Sequence, residues 1–306
     1  MALSDELRTE LAAIVPTRGC DRLAELSALF HTAGSIHLRG RGQIAVHLDL
    51  AGPAVARRAF ALLRALGLHS EIRTYRQRAF AKATRYQLHV AGDEPARALL
   101  RETGVLDQRS RPLERPPKRV VARSCCRRAY LRGALLGAGS LSGPGSPHLE
   151  MRTASVAGAE LLRRVAAAEG IALSVVDRRR HAAVYAKGAE AIEGVLLAAG
   201  AGDAVLAFEE RSVVAGLRAQ ANRLANADHA NLVRTSRAAQ EQLEAVRRLA
   251  AAGTLDALPD RLSEAGRLRL RHPTLSLAEL ARRADPPASK AGMHRRLRRL
   301  QELAGR

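Results

Sequence analysis

Near its C-terminus the chain gathers Ser289, Lys290, Ala291, His294, Arg295, Arg296, Arg298 and Arg299 into one short run. Cationic groups at helical spacing suit a nucleic-acid duplex: those near the start of a helix in the major groove reach base edges, and later arginines suit phosphates. The flanking residues support a helix. Ser289 stands where a cap belongs, and Met293, Leu297 and Leu300 form an apolar stripe that leaves most of the cations outside it. Ser276 begins a shorter helix before it, carrying Leu277, Leu280 and Ala281 inward, and Asp285-Pro286-Pro287 ends that helix. Two helices around a short break form a helix-turn-helix pattern. The segment from Leu258 to Arg306 holds twelve Lys or Arg against five Asp or Glu, which favours DNA contact over a basic hairpin that only packs.

Other catalytic constellations are weak. The glycines between Gly133 and Gly145 are not followed by Gly-Lys-Ser or Gly-Lys-Thr, which excludes a P-loop, and the ten histidines include no H-E-x-x-H pair. His31 reads as a satisfied polar residue. The three cysteines, Cys20, Cys125 and Cys126, offer no C-x-x-C pair and read as small buried hydrophobes rather than metal ligands. No metal, cofactor or small-molecule substrate is expected. Fifty Lys and Arg against thirty Asp and Glu leave a formal charge of +20, and such a surface attracts polyanions before any specific contact forms. Double-stranded DNA is the expected partner. The N-terminus lacks an apolar signal core, and no stretch approaches the ~20 apolar residues of a membrane span. The expected location is the cytoplasm, in association with the nucleoid.

These residues need a frame, and the frame is duplicated. Leu26 to Ser35 returns 105 residues later as Leu131 to Ser140, both ending Ala-Gly-Ser, with Cys20 matching Cys125 and Arg22 matching Arg127. Two copies of one module are implied. Small residues (Ala28 and Ala33; Gly133, Gly137 and Ala138) let these two apolar helices approach closely, so they are expected to form the seam between the halves. Gln43 to Leu50 alternates strictly and predicts a strand burying Ile44, Val46, Leu48 and Leu50. A helix from Pro53 to about Leu66, strands at Glu71–Gln77 and Arg85–Val90, and a helix at Glu94–Glu102 follow. The second copy repeats this order, with strands at His148–Thr153, Leu173–Asp177 and Ala183–Lys187 and helices at Ala157–Glu169 and Ala189–Ala199. The polar strand faces, with Gln43, His47, Arg85, Gln87, His89, Glu150 and Arg152, would form a saddle.

The expected fold class is α+β. Its divisions are a first module at 1–105, a Pro/Arg-rich linker at 106–123, a second module at 124–203, a helical connector at 204–257 and an all-α helix-turn-helix domain at 258–306. In the connector, Asn222 and Asn226 share a face, which reads as a solvated interdomain helix rather than a direct nucleic-acid contact.

At these places the chain resembles the WhiA family of bacterial DNA-binding regulators. The resemblance rests on Cys125-Cys-Arg-Arg-Ala-Tyr-Leu-Arg-Gly133 with Gly139-Ser140, on His148-Leu-Glu150, on Ala221-Asn-Arg-Leu-Ala-Asn226, and on Asp285-Pro-Pro-Ala-Ser-Lys290 through His294 to Leu300. It implies two degenerate LAGLIDADG homing-endonuclease-like modules in a pseudo-two-fold saddle, then the helix-turn-helix. A homing endonuclease needs an acid at the eighth position of each LAGLIDADG helix, because paired carboxylates hold the ions that activate water. Here those positions are Ala33 and Ala138. The expectation is therefore a sequence-specific transcriptional regulator and not an enzyme. The resemblance implies a role in sporulation, cell division or chromosome segregation, with a WhiB-like protein as a partner. The rivals are an active divalent-metal endonuclease and a regulator directed by protein partners or RNA with only nonspecific DNA affinity.

Overall fold

The computed structural model describes residues 3–39, 43–76, 84–90, 92–143 and 145–305. The chain opens with helix α1 (Leu3–Ala13) and the first seam helix α2 (Gly19–Ala33), followed by strands β1 (Gly34–Arg39) and β2 (Gln43–Leu50). Helix α3 (Pro53–Ala65), strands β3 (Ser70–Arg76) and β4 (Thr84–Val90), and helix α4 (Glu94–Glu102) complete the first module. The second runs through α5 (Ser124–Ala138), β5 (Gly139–Ser142), β6 (His148–Thr153), α6 (Val156–Ala167), β7 (Ser174–Arg178), β8 (His181–Ala186) and α7 (Ala189–Ala199). Helix α8 (Gly202–Ala251) leads to α9 (Asp260–Arg271), α10 (Leu277–Arg282) and α11 (Lys290–Ala304). Residues 1–215 and 216–306 pack as two units.

The duplication is explicit in the sheets. Both are antiparallel, ordered β1-β2-β4-β3 and β5-β6-β8-β7. On β2, Ile44, Val46, Leu48 and Leu50 are buried while Ala45, His47 and Asp49 stay half-exposed, as a period-2 pattern over a one-sided core requires. Strands β1 and β5 go beyond the sequence expectation. Each starts at the glycine that ends its seam helix, and Gly34 and Gly139 are both extended there. They are short edge strands of mixed composition, so neither announces itself by alternation. The expected strand end at Gln77 lies outside the described residues, as does the side chain of Gln43.

The seam forms between α2 and α5, and glycine is what permits it. A Cβ at Gly133 would sit 2.3 Å from the Glu25 carbonyl oxygen, and one at Gly137 would sit 2.1 Å from Thr32 Oγ1. Only hydrogen fits there. A charged knot also crosses the seam: fully buried Glu25 accepts from Arg58 at 2.8 and 3.1 Å and from Arg132 Nε at 2.9 Å. Arg132 Nη1 donates on to the Ala199 carbonyl at 3.3 Å. Nothing in the periodicity marks these residues, because a charged side chain on a helix ordinarily reads as a solvent-facing one.

Helix α1 is a second unexpected element, with Leu3, Leu7 and Leu11 buried on one stripe. It clasps the other repeat. Ser4 Oγ both donates to the Leu141 carbonyl (3.0 Å) and accepts from its N–H (2.8 Å), so α1 engages β5. Glu10 accepts from the Asp203 and Ala204 N–H groups at 2.9 and 2.8 Å, placing a carboxylate on the positive end of α8.

Residues 106–123 differ from a free tether. Leu106 bridges to Pro112, and Asp107 accepts from the backbone N–H groups of Arg109 and Arg111 and from the Arg111 guanidinium. A 3₁₀ turn at Lys118–Val121 buries Val120 and Val121 in the core of the first unit. The prolines do prevent an α-helix, but the apolar residues between the cations anchor the segment. Likewise the connector is shared out. Ala204, Val205 and Phe208 near the start of α8 pack with the modules, and Val246 and Leu249 near its end pack with the C-terminal helices. Asn222 and Asn226 are exposed.

In the second unit, the expected helix pair gains a third member, α9, whose Ala265 and Leu268 join Leu280, Ala281, Met293, Leu297 and Leu300 in one core. Four arginines from Arg261 to Arg271 hide it from a reading weighted by charge, yet one of them is structural. Arg269 is buried, donating to the Pro273 and Leu275 carbonyls and to Gln242 Oε1, the last at 2.8 Å. Burial lowers its pKa.

Candidate nucleic-acid interfaces

The basic run is organised from its caps outward. Ser276 accepts from the Glu279 N–H while the Glu279 carboxylate accepts from the Ser276 N–H, a complete capping box that starts α10. That exchange holds the Glu279 carboxyl below its usual range, the Ser276 hydroxyl being the largest cause. Ser289 Oγ accepts from the Gly292 N–H at 3.0 Å and so starts α11. Of the predicted DNA-facing residues, Ser289 is thus first a cap. Met293, Leu297 and Leu300 are buried, and Lys290, Ala291, His294, Arg295, Arg298 and Arg299 are exposed. The last five of these share one face of α11, since positions three and four apart are neighbours on a helix.

Arg296 departs from the expected set. It points toward α9, with its side chain only 18% exposed and Nη1 3.5 Å from the Glu264 carboxylate. Helical geometry explains this: it lies beside the buried Leu300 and Met293, on the opposite flank from Arg295. Glu302 takes up part of the charge of Arg298 (3.7 Å) and Arg299 (3.0 Å). Both stay largely in solvent, where such pairs are weak and exchangeable. Lys290, His294 and Arg295, nearest the start of the helix, have no such carboxylate partner in the ion pairs of the described residues.

The foot of the seam carries no acids at the two positions where hydrolysis would need them. Ala33 and Ala138 end their helices half-buried, and a Cβ on Gly137, the neighbour of Ala138, would fall 3.4 Å from that of Ala33. A cation stands beside them instead. Arg8 of α1 donates to the Gly139 carbonyl at 2.6 Å and pairs with Asp5 at 3.1 Å. Burial depresses the Arg8 pKa, Asp5 opposes that, and the guanidinium charges of Arg85 and Arg152 depress it further. Two of these arginines are themselves paired, Arg8 with Asp5 and Arg85 with Asp49.

The outer sheet faces are already internally paired. Asp49 accepts from the Tyr75 hydroxyl and from Arg85 Nε at 3.0 Å. Glu150, which is buried, accepts from Arg178 at 2.8 Å. Facing one another across β1, β2 and β4 are His37, His47 and His89, with ring centroids 4.6 Å apart for the first pair and 5.5 Å for the second. Burial, then the neighbouring histidine charges, lower the His47 pKa. The faces are therefore mosaics of imidazole rings and paired acids, with Gln87 beside His89 on the first sheet and Arg152 on β6 of the second.

The cysteines depart in part from the expectation of small buried hydrophobes. Only Cys126 is buried; Cys20 and Cys125 are half-exposed, and the three lie together at the head of the seam. Burial, then hydrogen bonds with the neighbouring thiols, push the Cys126 thiol up to about 12, so it is no nucleophile at neutral pH. The repeat's match of Cys20 to Cys125 was the available signal, since equivalent positions near a pseudo-two-fold axis meet. His31, expected to be a satisfied polar residue, is only half satisfied: Nδ1 lies 2.8 Å from the Ser27 carbonyl oxygen, while the buried Nε2 has no hydrogen-bond partner among the described residues.

Among the described residues no helix is long and apolar enough to cross a membrane. Three family models together match most of the chain: the WhiA N-terminal LAGLIDADG-like domain over residues 19–106, the WhiA LAGLIDADG-like domain over 127–218, and the WhiA C-terminal HTH domain over 221–304. A probable cell division protein WhiA from Heliobacterium modesticaldum is 38% identical over 306 residues, spanning 99% of this chain and 96% of the relative. One from Acidothermus cellulolyticus is 38% identical over 310 residues, spanning 100% and 94%. The crystal structure of full-length DUF199/WhiA from Thermatoga maritima superposes with a TM-score of 0.58 at 20% identity, covering 100% of this chain and 98% of that one. With two LAGLIDADG-like modules and a C-terminal helix-turn-helix in this order, and with relatives matched end to end, the chain belongs to the WhiA family.

Proposed function

We propose that this chain is a sequence-specific regulator of transcription that binds double-stranded DNA through α11 and uses its paired modules as a non-hydrolytic scaffold. The observation that carries this reading is the exposed basic face of α11, set on a core of its own with Lys290, Ala291, His294 and Arg295 at its leading end. Those four read base edges, with the Ser289 hydroxyl beside them; Arg298 and Arg299 exchange Glu302 for phosphate, and Arg296 serves the packing of α9. The reading assigns 258–306 to the reader, 204–257 to its connector, and 1–105 and 124–203, joined by 106–123, to the scaffold. Relatives named as probable cell division proteins support a role in cell division, and we extend it to sporulation and chromosome segregation, with action at the nucleoid and a WhiB-like partner.

The test is a pair of double variants assayed on an operator selected from a random DNA pool and on a scrambled duplex. K290A/R295A narrows the difference between the two duplexes. R298A/R299A weakens binding to both and lowers the slope of log K against log salt by about 0.9 for each phosphate no longer neutralised. If neither pair alters binding, α11 is not the reader. Scaffold inactivity rests on Ala33, Ala138 and the Arg8 guanidinium beside them; site-specific nicking of that operator with Mg²⁺ or Mn²⁺ overturns it.

A further inference from the structure

At the opposite end of the seam from Ala33 and Ala138, the first turns of α2 and α5 bring four metal-type ligands together. The thiols of Cys20, Cys125 and Cys126 and a carboxylate oxygen of Asp21 all lie within 4.8 Å of one another. The three cysteines are free, so no disulfide competes for them. Each helix supplies two adjacent residues, and the 105-residue repeat maps Cys20 onto Cys125 and Asp21 onto Cys126.

We propose that Cys20, Asp21, Cys125 and Cys126 form a four-coordinate site for a zinc-class divalent ion that clips the two modules together. The spacing supports this directly. A tetrahedral centre with zinc–sulfur bonds of about 2.3 Å and zinc–oxygen bonds of about 2.0 Å has edges of roughly 3.8 Å between sulfurs and roughly 3.5 Å between sulfur and oxygen. Cys125 and Cys126 stand with their sulfurs 3.9 Å apart, and Cys20 Sγ is 3.5 Å from the Asp21 carboxylate. Side chains therefore need little movement to enclose an ion.

The donor set fixes the class of ion. Thiolates select soft or borderline metals over magnesium and calcium, which take oxygen ligands. Binding replaces three thiol protons, which pass to solvent, and needs no oxidant. The anionic cage that results sits at two helix N-termini, whose partial positive charge favours it. Four protein ligands leave no open position, so the ion is structural and supplies no hydrolytic chemistry. Asp21, Cys20 and Cys125 are half-exposed, which leaves an entry path.

The experiment uses the untagged full chain, reduced and stripped with a chelator, titrated with Co²⁺ and then with Zn²⁺. The expected result is one Co²⁺ per chain with the intense visible bands of a tetrahedral site and a thiolate-to-cobalt charge-transfer band, all erased by one equivalent of Zn²⁺. Even outer partners of metal ligands are worth about ten- to a hundredfold in affinity, so C20S and C126S each weaken Zn²⁺ binding by at least about tenfold. D21N keeps the charge-transfer band and weakens binding, with far-UV circular dichroism checking each variant's fold. The wild-type spectrum needs no variant to fold. Absence of a tetrahedral thiolate spectrum, a spectrum indifferent to C20S, or formation of a Cys20 disulfide in air with no metal uptake overturns the proposal.

Discussion

Replacing Glu25 by alanine is the most severe single perturbation the structure of the modules offers. Its carboxylate is fully buried and accepts three hydrogen bonds, at 2.8, 3.1 and 2.9 Å, from two guanidiniums whose side chains are 4% and 10% exposed. Removing it leaves two positive charges in the seam without their counter-ion, Arg132 keeping the neutral Ala199 carbonyl at 3.3 Å. Breaking a buried pair from one side costs about 3–5 kcal/mol, which in a domain of this size corresponds to a fall in Tm of roughly 6–20 °C. The assay is built into the sequence. The chain has no tryptophan, and its four tyrosines, Tyr75, Tyr86, Tyr130 and Tyr185, all lie in the unit of residues 1–215. Tyrosine fluorescence during urea unfolding therefore reports that unit alone. The expected result is a lowered midpoint with an unchanged m-value, insensitive to added salt because the groups are buried. Replacing Glu25, Arg58 and Arg132 together by apolar residues of similar volume restores most of the stability. A loss below about 1 kcal/mol in the single variant, the magnitude of an exposed ion pair, refutes the argument.

Two further outcomes follow from local geometry. Ser276→Ala removes one half of the capping box and costs about 1 kcal/mol, read as faster hydrogen exchange across α10, with Ser276→Asp recovering most of it. His31 gives a pH dependence: burial lowers its pKa, against the pull of the Ser27 carbonyl. The unfolded chain therefore takes up its proton first, near the ordinary histidine value of about 6.5. Stability of the modules is full above that value and declines as pH falls below it toward the folded pKa. Urea midpoints measured between neutral and mildly acid pH check this, and His31→Gln flattens the slope.

The elements legible in the sequence were those whose burial pattern is a simple period. Ile44 to Leu50 had to be a strand with one wet face, and Ser276, Ser289 and the Met293–Leu297–Leu300 stripe located α10 and α11 almost to the residue. The same reasoning missed what depends on partners distant in the chain. Glu25 and Arg132 look like solvated helix residues until the seam closes on them, and Arg269 looks like another cation for DNA until its acceptors at Gln242, Pro273 and Leu275 are assembled. Edge strands β1 and β5 are short because they lean on β2 and β6 rather than on their own alternation. In the reader helix, residue type identified the cations, but only the packing of α9 separates Arg296 from Arg295. The gathering of the cysteines was hidden for a related reason: Cys20 and Cys125 are 105 residues apart in the chain, and only the closed seam brings the two adjacent pairs together.

The clasp of α1 on β5 and on the start of α8 bears on how the protein is made. Its hydrogen bonds join Ser4 to Leu141 and Glu10 to Asp203 and Ala204, so this helix, although it also packs on α3 of its own module, completes its contacts only when the second repeat and the start of α8 have been synthesised. Helix α1 fastens the second repeat only after that repeat is complete.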